Sequence, residues 1–318
     1  MEGRASSVVA RTLPRRMWTR HLFLKLSENH TLRRWMETSP KAKLLTRRFI
    51  AGETLEDELA VCAKLVEKRI WAAFDYLGEN VTTLEEARQS ADAYAVALEA
   101  IAARRLPATV SIKVTQFGVD VSQQACLENV LRLVRQAKAT ASRVEIDMES
   151  SCYTDRTLDI AERASAEGPV RCVMQAYLHR SQADVERLNR LRIPVRLCKG
   201  AYDEPVTVAF PSKAAVDEHY VQLMKTLLDQ GTYPAIATHD PKILDAALAY
   251  VREKRIAAER FEFQMLYGIR RDLQRKLVEQ GYRLRLYVPY GTAWYPYFMR
   301  RLAERPANVF FLIRNFFR

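Results

Sequence analysis

Two adjacent arginines, Arg300 and Arg301, stand one turn beyond the aromatic stretch Tyr287-Val288-Pro289-Tyr290-Gly291-Thr292-Ala293-Trp294-Tyr295-Pro296-Tyr297-Phe298. A guanidinium fork takes a carboxylate or phosphate through two parallel hydrogen bonds. Aromatic rings around such a fork suit a small anion with an apolar body. Paired arginines are also the ordinary make-up of a solvated helix face, so the pair acquires meaning only from its surroundings. Lys113 is harder to dismiss, because it interrupts the apolar run Val110–Val114 and an isolated charge in an apolar setting is costly unless paired. Asp147, Arg196 and Lys199 stand at the ends of similar runs. Taken singly each has a bland account: Asp147 as a helix cap, His239 as a satisfied structural histidine.

The elements that must position these groups are set by the hydrophobic pattern. Eight short apolar runs occur at Trp71–Leu77, Val110–Val114, Val144–Met148, Val170–Leu178, Val195–Cys198, Pro234–Thr238, Phe261–Leu266 and Leu284–Val288. Amphipathic segments such as Leu84–Ala103, Ser122–Ala139, Ser181–Leu191, Ala214–Leu228 and Pro241–Val251 lie between them. Thr83, Ser122, Ser181 and Asp240 before Pro241 read as N-caps. Parallel strands need crossover helices, so the alternation predicts a parallel sheet. Eight repeats without a GxGxxG fingerprint favour an α/β fold of the closed (β/α)8 TIM type over an open dinucleotide-binding sheet. Residues 1–70 read as an N-terminal helical arm and 71–318 as the barrel.

In such a barrel the active site lies at the C-terminal ends of the strands. The residues that close each run, or come directly after it, are Gly78-Glu79, Lys113, Asp147, Gln175, Arg196 with Lys199, Thr238-His239, Gln264 with Tyr267, and Tyr287. Every strand end carries a polar or ionisable side chain. Lys113, Arg196, Lys199, Arg300 and Arg301 outnumber Glu79 and Asp147, which suits an anionic substrate with an anionic cofactor. The rim has neither the carboxylate cluster of a Mg²⁺ site nor a nucleophile–histidine pair in an evident motif. Cys198 lies between Arg196 and Lys199, which would lower its pKa, although a barrel-core cysteine is the plainer reading. The residues alone describe an anion-binding barrel enzyme, and a Schiff-base aldolase working through Lys113 fits that description.

Composition narrows the remaining classes. Hydrophobic residues make up 48% and charged residues 28% of the 318, as in a globular protein. No run approaches the length of a membrane span. The five cysteines show no CxxC pair and the five histidines no HExxH pattern, so no disulfide framework or metal site is expected. The net charge of +12 is concentrated at the ends, with +9 in residues 1–50 and +6 in residues 281–318. A basic arm can contact an anionic membrane surface or nucleic acid; no zinc-finger or RNA-binding signature supports the latter. Arg4, Ser6, Ser7, Arg11, Arg15 and Arg16 weakly resemble a transit peptide. A basic-arm binding protein on a barrel scaffold is a further reading.

The same residues, in order, resemble the monofunctional proline dehydrogenases of bacteria. The matching pieces are Tyr76-Leu77-Gly78-Glu79, Ser111-Ile112-Lys113-Val114-Thr115-Gln116, Glu145-Ile146-Asp147-Met148-Glu149, Gln175-Ala176-Tyr177-Leu178 and Val195-Arg196-Leu197-Cys198-Lys199-Gly200-Ala201-Tyr202. Ala237-Thr238-His239, Phe263-Gln264-Met265-Leu266-Tyr267-Gly268 and the stretch from Tyr287 to Arg301 complete the set. It spans about residues 70–305, and residues 1–70 carry no matching motif.

The resemblance implies oxidation of L-proline to Δ1-pyrroline-5-carboxylate, with hydride passing from proline C5 to N5 of FAD and electrons going to a membrane quinone. It implies a distorted barrel with the last helix over the mouth. Arg300, Arg301 and Lys113 would hold the proline carboxylate, Tyr287 and Leu266 would pack on the ring, and Tyr202 and Tyr297 would complete an apolar wall. A bulky Tyr287 would exclude a ring hydroxyl. Arg196 and Gln175 would border the flavin, and Met148, Lys199, Gly200, Ala201, Thr238 and His239 would contact it more widely, Gly200 by close backbone approach. Asp147 would order the hydrogen bonds, with Asp147 and Arg196 as the catalytic pair, and Glu79 would pair with Arg300 as a gate. A short turn before the arginine pair implies the monofunctional type, so a separate pyrroline-5-carboxylate dehydrogenase would act next. The expected location is cytoplasmic, peripheral to the inner face of the membrane.

Overall fold

A computed structural model describes Arg34, Ser39 and residues 46–304, with side chains as far as Met299. Most of the arm expected over 1–70, and the side chains of Arg300 and Arg301, therefore lie outside the described residues. Phe49–Thr292 forms one compact unit, and the last described helix belongs to a second.

The first unit is a closed barrel of eight parallel strands: β1 Trp71–Tyr76, β2 Ala108–Ile112, β3 Val144–Ile146, β4 Val170–Gln175, β5 Val195–Cys198, β6 Ala235–Ala237, β7 Glu262–Leu266 and β8 Leu284–Tyr290. Closure is made by β1 on β8, from Trp71 opposite Arg285 to Tyr76 opposite Tyr290. Helix α1, Leu55–Val66, precedes the barrel and packs on β1 and β8. The connecting helices are α2 Leu84–Ala103, α3 Gln123–Ala139, α4 Thr154–Ser165, α5 Ser181–Arg190, α6 Lys213–Gln230, α7 Pro241–Glu253 and α8 Arg271–Glu279. The second unit contains α9, Trp294–Glu304.

The caps explain where helices start. Thr83 opens α2 with a reciprocal box to Glu86, and Ser122 accepts from the N–H of Ala125 at α3. Asp240 caps α7, with Pro241 at the first helical position, whose absent N–H needs no partner. Thr54 with Asp57 caps α1 in the same way as Thr83 caps α2. Ser181 is not a cap: Arg180 occupies that position without a side-chain cap, and the Ser181 hydroxyl donates to the Gln175 carbonyl (2.6 Å). Strand β4 ends at Gln175 rather than Leu178, where the Leu178 N–H turns back to the Gln175 carbonyl. Helices α4 and α8 lie outside the expected segments; α4 buries Leu158 and Ile160 beside two threonines and two alanines, and α8 buries only Gln274 and Leu277.

Side chains alternate across a strand, and here the alternation separates two cores. Val110, Ile112, Val144, Ile146, Leu197, Ile236, Phe263, Leu284, Leu286 and Val288 are buried in the main apolar cluster together with helix residues. Thr109, Ser111, Glu145, Arg171, Arg196, Glu262, Gln264 and Arg285, on the opposite strand faces, are buried as well. The lumen of this barrel is therefore filled with polar and charged groups.

Candidate active site at the C-terminal mouth of the barrel

The deepest part of the lumen is an ion-pair network. Glu262 accepts from Arg171 Nη1 (2.6 Å), Arg285 Nε (2.9 Å), Gln264 Nε2 (2.8 Å) and the Tyr233 hydroxyl (3.1 Å). Glu145 accepts from the Thr109 hydroxyl (3.0 Å), Arg171 Nη1 (3.1 Å) and Arg196 Nη1 (3.1 Å). Burial pushes both carboxyl groups up, but the facing arginines more than offset it and hold them below the ordinary value.

Arg196 carries the network upward. Its other amino group pairs with Asp147 and also reaches the Ser111 hydroxyl (3.2 Å). Asp147 accepts in addition from the Ser111 hydroxyl at Oδ1 (2.8 Å) and from the Tyr287 hydroxyl at Oδ2 (2.7 Å). The Arg196 guanidinium lies over the Tyr287 ring, 5.2 Å from its centre. Burial works against the charge of Arg196, yet Asp147 and Glu145 raise its affinity for the proton above the ordinary value. Asp147 is thus a lumen residue with three donors, not a helix cap.

Lys113, just beyond β2, is held by Asp75 of β1, Nζ to Oδ1 2.7 Å, with Asp75 1% exposed and Lys113 12%. Burial alone would strip the ammonium; the charges of Asp75 and Asp147 overcome it and keep Lys113 protonated above its usual range. A Schiff-base lysine needs a free amine, so this environment opposes the aldolase reading. Glu79, half-buried beyond β1, adds its charge to the same ammonium.

The rest of the rim has defined anchors. Gln175 donates from Nε2 to the Met148 carbonyl (3.1 Å), while its Oε1 is buried with no partner among the described residues. His239 Nε2 accepts from the Leu266 N–H (2.9 Å), which ties the β6 end to the β7 end. Thr238 accepts from the Asp240 N–H (3.1 Å). Lys199 pairs with Asp240 (2.8 Å) and with Asp217, the same carboxylates that take Lys213. The loop past Gly200 places Ala201 and Tyr202 at the surface, and Glu204 in it accepts from the backbone N–H of Ser151 (2.6 Å).

Cys198 is the core cysteine of the plainer reading, and Gly200 meets a constraint of its own. A Cβ on Gly200, whose φ is +113°, would fall 2.2 Å from the Tyr177 ring; the protein's own tyrosine already demands glycine. Burial pushes the Cys198 thiol up to about 11, outweighing the opposite pull of Arg196. It is a core cysteine that donates to the Met174 carbonyl (3.4 Å), and Lys199 is engaged elsewhere. Tyr297 is buried in α9, in the second unit, whereas Arg300 and Arg301 lie beyond the described side chains. The mouth thus gathers Lys113, Asp147, Arg196 and Tyr287 into one connected group, with Gln175 and Met148 joined beside it.

Residue-by-residue reading missed Asp75, Glu145, Arg171, Glu262 and Arg285. The signal was present as period two: Glu145 with Asp147, Glu262 with Gln264, and Arg285 with Tyr287 share one face of their strands.

Fold and mouth together define a (β/α)8-barrel enzyme whose strand ends present buried, paired charges to a small polar substrate. The chain belongs to the proline dehydrogenase family, whose model matches residues 59–314. It is 42% identical over 297 residues to proline dehydrogenase 1 of Bacillus subtilis subsp. natto, covering 93% of this chain and 98% of that one. It is 39% identical to proline dehydrogenase of Deinococcus radiodurans, covering 85% and 89% of the two chains. Among solved structures it is similar to proline utilization A from Bdellovibrio bacteriovorus, with a TM-score of 0.79 and 26% identity. That match covers 90% of this chain and 36% of the larger protein.

Proposed function

We propose that the chain oxidises L-proline to Δ1-pyrroline-5-carboxylate with FAD as the acceptor at the barrel mouth and a membrane quinone as the onward acceptor. Family membership makes it a proline dehydrogenase, the enzyme of the first step of proline catabolism. The observation that carries the finer reading is the protonated Lys113, buried at the end of β2 beside the Asp147–Arg196–Tyr287 group. A buried ammonium suits a carboxylate ligand.

The residues present fit a flavin. The unpartnered Gln175 Oε1 is a buried acceptor, matched to a ring N–H of the kind a flavin carries. The fixed positive charge of Arg196 is of the sign that stabilises reduced flavin. Arg196 and Gln175 would hold the ring, with Met148, Lys199, Gly200, Ala201, Thr238 and His239 along the rest of the cofactor. When bound, FAD supplies the two-electron acceptor that amino acid side chains lack.

The chain's own residues bind and orient. Lys113, Arg300 and Arg301 take the substrate carboxylate, and Glu79 pairs with Arg300 as a gate. Tyr287 and Leu266 face the pyrrolidine ring, with Tyr202 and Tyr297 as the wall. Asp147, held by three donors, keeps the Tyr287 hydroxyl and the Arg196 guanidinium in register. Fixing both ends of the substrate converts the encounter into a positioned reaction. In this reading residues 71–318 form the catalytic unit and 1–70 a helical arm.

The electron path implies a membrane quinone, and the product implies a separate pyrroline-5-carboxylate dehydrogenase. Among the described residues no helix is long and apolar enough to cross a membrane. The basic termini would make a peripheral contact with anionic lipid on the cytoplasmic face. Deletion of residues 1–20 should weaken binding to vesicles containing anionic lipid, and unchanged binding would argue against that contact.

A visible absorption scan of the purified chain tests the central reading. Flavin bands that bleach on addition of L-proline are expected. A protein that remains colourless after incubation with FAD would rule the reading out.

A further inference from the structure

Between β1 and α2 the chain runs without regular structure from Leu77 to Thr82, and Glu79 stands half-buried in the middle of it. The two backbone N–H groups that follow Glu79 both donate to Thr115: Asn80 to its hydroxyl (3.3 Å) and Val81 to its carbonyl (3.3 Å). Asn80 takes a left-handed φ of +55°, a conformation its short polar side chain tolerates. Thr115 is in turn gripped by Glu149, just beyond β3, which accepts from its N–H (3.0 Å) and from its hydroxyl (2.6 Å). Both residues are buried.

The start of the same loop is fixed from the same turn. Gln116 Nε2 donates to the Tyr76 carbonyl (3.0 Å), and a Cβ on Gly78 would fall 2.8 Å from that nitrogen. Tyr94 of α2 accepts from the Tyr76 N–H (3.1 Å) and donates to the Ser111 carbonyl (2.6 Å). The turn itself begins at Lys113, whose carbonyl accepts from the N–H groups of Gln116 (3.1 Å) and Phe117 (3.2 Å). The segment that carries Lys113 therefore also holds both ends of the loop that carries Glu79.

We propose that Thr115 is a positioning residue for proline oxidation: it holds the Glu79 loop in register with the Lys113 ammonium and so sets how firmly substrate is retained. The role presupposes Lys113 as a ligand of the substrate carboxylate and Glu79 as the gate, as proposed above. The Thr115 hydroxyl is the joint, because the same oxygen accepts from the loop after β1 and donates to the acid after β3. Valine has the shape of threonine without that oxygen. It would leave the Asn80 N–H and one Glu149 oxygen without this partner and release the chain directly after Glu79, while the Thr115 N–H still reaches Glu149. A gate held less firmly weakens the ground state and the transition state alike, which raises KM and leaves kcat in place. A merely structural anchor would lower stability without moving KM.

Steady-state kinetics of the flavin-loaded full chain with an artificial electron acceptor tests this through Thr115→Val, alone and in a Glu79→Ala background. Thr115→Val alone should raise KM for proline by about tenfold with kcat held. In the Glu79→Ala background the same change should add less than about twofold, because residues acting as one unit are not additive. Thr115→Ser keeps the hydroxyl and should return KM to within about twofold of the parent. A lowered thermal midpoint with unchanged KM, or a full rise in KM that persists without Glu79, overturns the role of Thr115 alone. An unchanged KM in Glu79→Ala by itself overturns the gate, and the role of Thr115 with it. If Thr115→Val does not fold, Glu149→Gln cuts the same joint from the β3 side and is held to the same outcomes.

Discussion

Tyr287 and Arg196 meet through a shared carboxylate as well as face to face. The phenol donates to one oxygen of Asp147 (2.7 Å) and the guanidinium pairs with the other, while the guanidinium also lies 5.2 Å from the phenol ring centre. Strands β5 and β8, on different sides of the barrel, are thereby locked to β3 at the level where substrate would sit. Neither side chain can move without disturbing the other.

Tyr287→Phe keeps the ring and removes only the hydroxyl bond to Asp147. A hydrogen bond to a charged group contributes about 1.5–3 kcal/mol. The expected result is a fall of at least tenfold in kcat/KM for proline with the fold intact. Steady-state kinetics with an artificial electron acceptor checks it, and an unchanged kcat/KM would remove Tyr287 from the site.

Arg301→Met removes half of the arginine pair, whose side chains lie outside the described residues. Because Lys113 and Arg300 would remain, the substrate should still react at saturation. KM for proline is expected to rise by about tenfold to a hundredfold, the equivalent of about 1.4–2.8 kcal/mol, with the flavin spectrum retained. Loss of flavin with proline affinity preserved would show that the arginine serves the cofactor.

Arg171→Met tests the deep network. It leaves Glu145 and Glu262 short of a cation in a space where both acids and Arg171 are 0% exposed. Breaking a buried pair from one side costs about 3–5 kcal/mol, so urea unfolding should show a loss of that size. Adding Glu262→Gln restores the charge balance and should recover part of it. An unchanged midpoint for Arg171→Met would mean that the lumen tolerates a buried excess charge.

Glu58 supplies a pH prediction. It is wholly buried on α1, and neither carboxylate oxygen has a partner among the described residues. Burial, with some help from the charge of Asp75, raises it well above the ordinary value. The folded chain therefore holds this proton more tightly than the unfolded chain. Stability from this group is fully present below the ordinary carboxyl range and is lost as pH rises from there through the raised value. Glu58→Leu should flatten that decline and be more stable than the parent at about pH 8, by roughly 1–3 kcal/mol. Equal pH dependence of the two proteins in denaturant titrations would contradict it.

Much of the architecture was legible because it depends on local rules. Helix α2 occupies Leu84–Ala103 as the cap at Thr83 and the apolar spacing predict. All eight strands fall within the eight apolar runs or within two residues of them. The expected segments omitted α4 and α8, whose buried faces mix Leu158, Ile160 and Leu277 with threonine, alanine and glutamine, so their hydrophobic trace is weak. At the mouth, Lys113, Asp147, Arg196, Gln175 and Tyr287 were legible as strand ends. Their partners were not, because Asp75 and Glu145 meet Lys113 and Arg196 only across the lumen, 38 and 51 residues away in the chain.

The amino-acid sequence by itself determined the alternation of strand and helix, the polar rim and the family. Those properties come from spacing and residue type along the chain. Tertiary structure alone decided which charge answers which. It made Asp75 the counter-ion of Lys113, turned Asp147 from a potential cap into the junction of Arg196 and Tyr287, and let burial outweigh Arg196 at the Cys198 thiol. The physical reason is that Coulomb attraction and desolvation depend on distance and burial through space, and the closed barrel brings together strands that the chain keeps far apart.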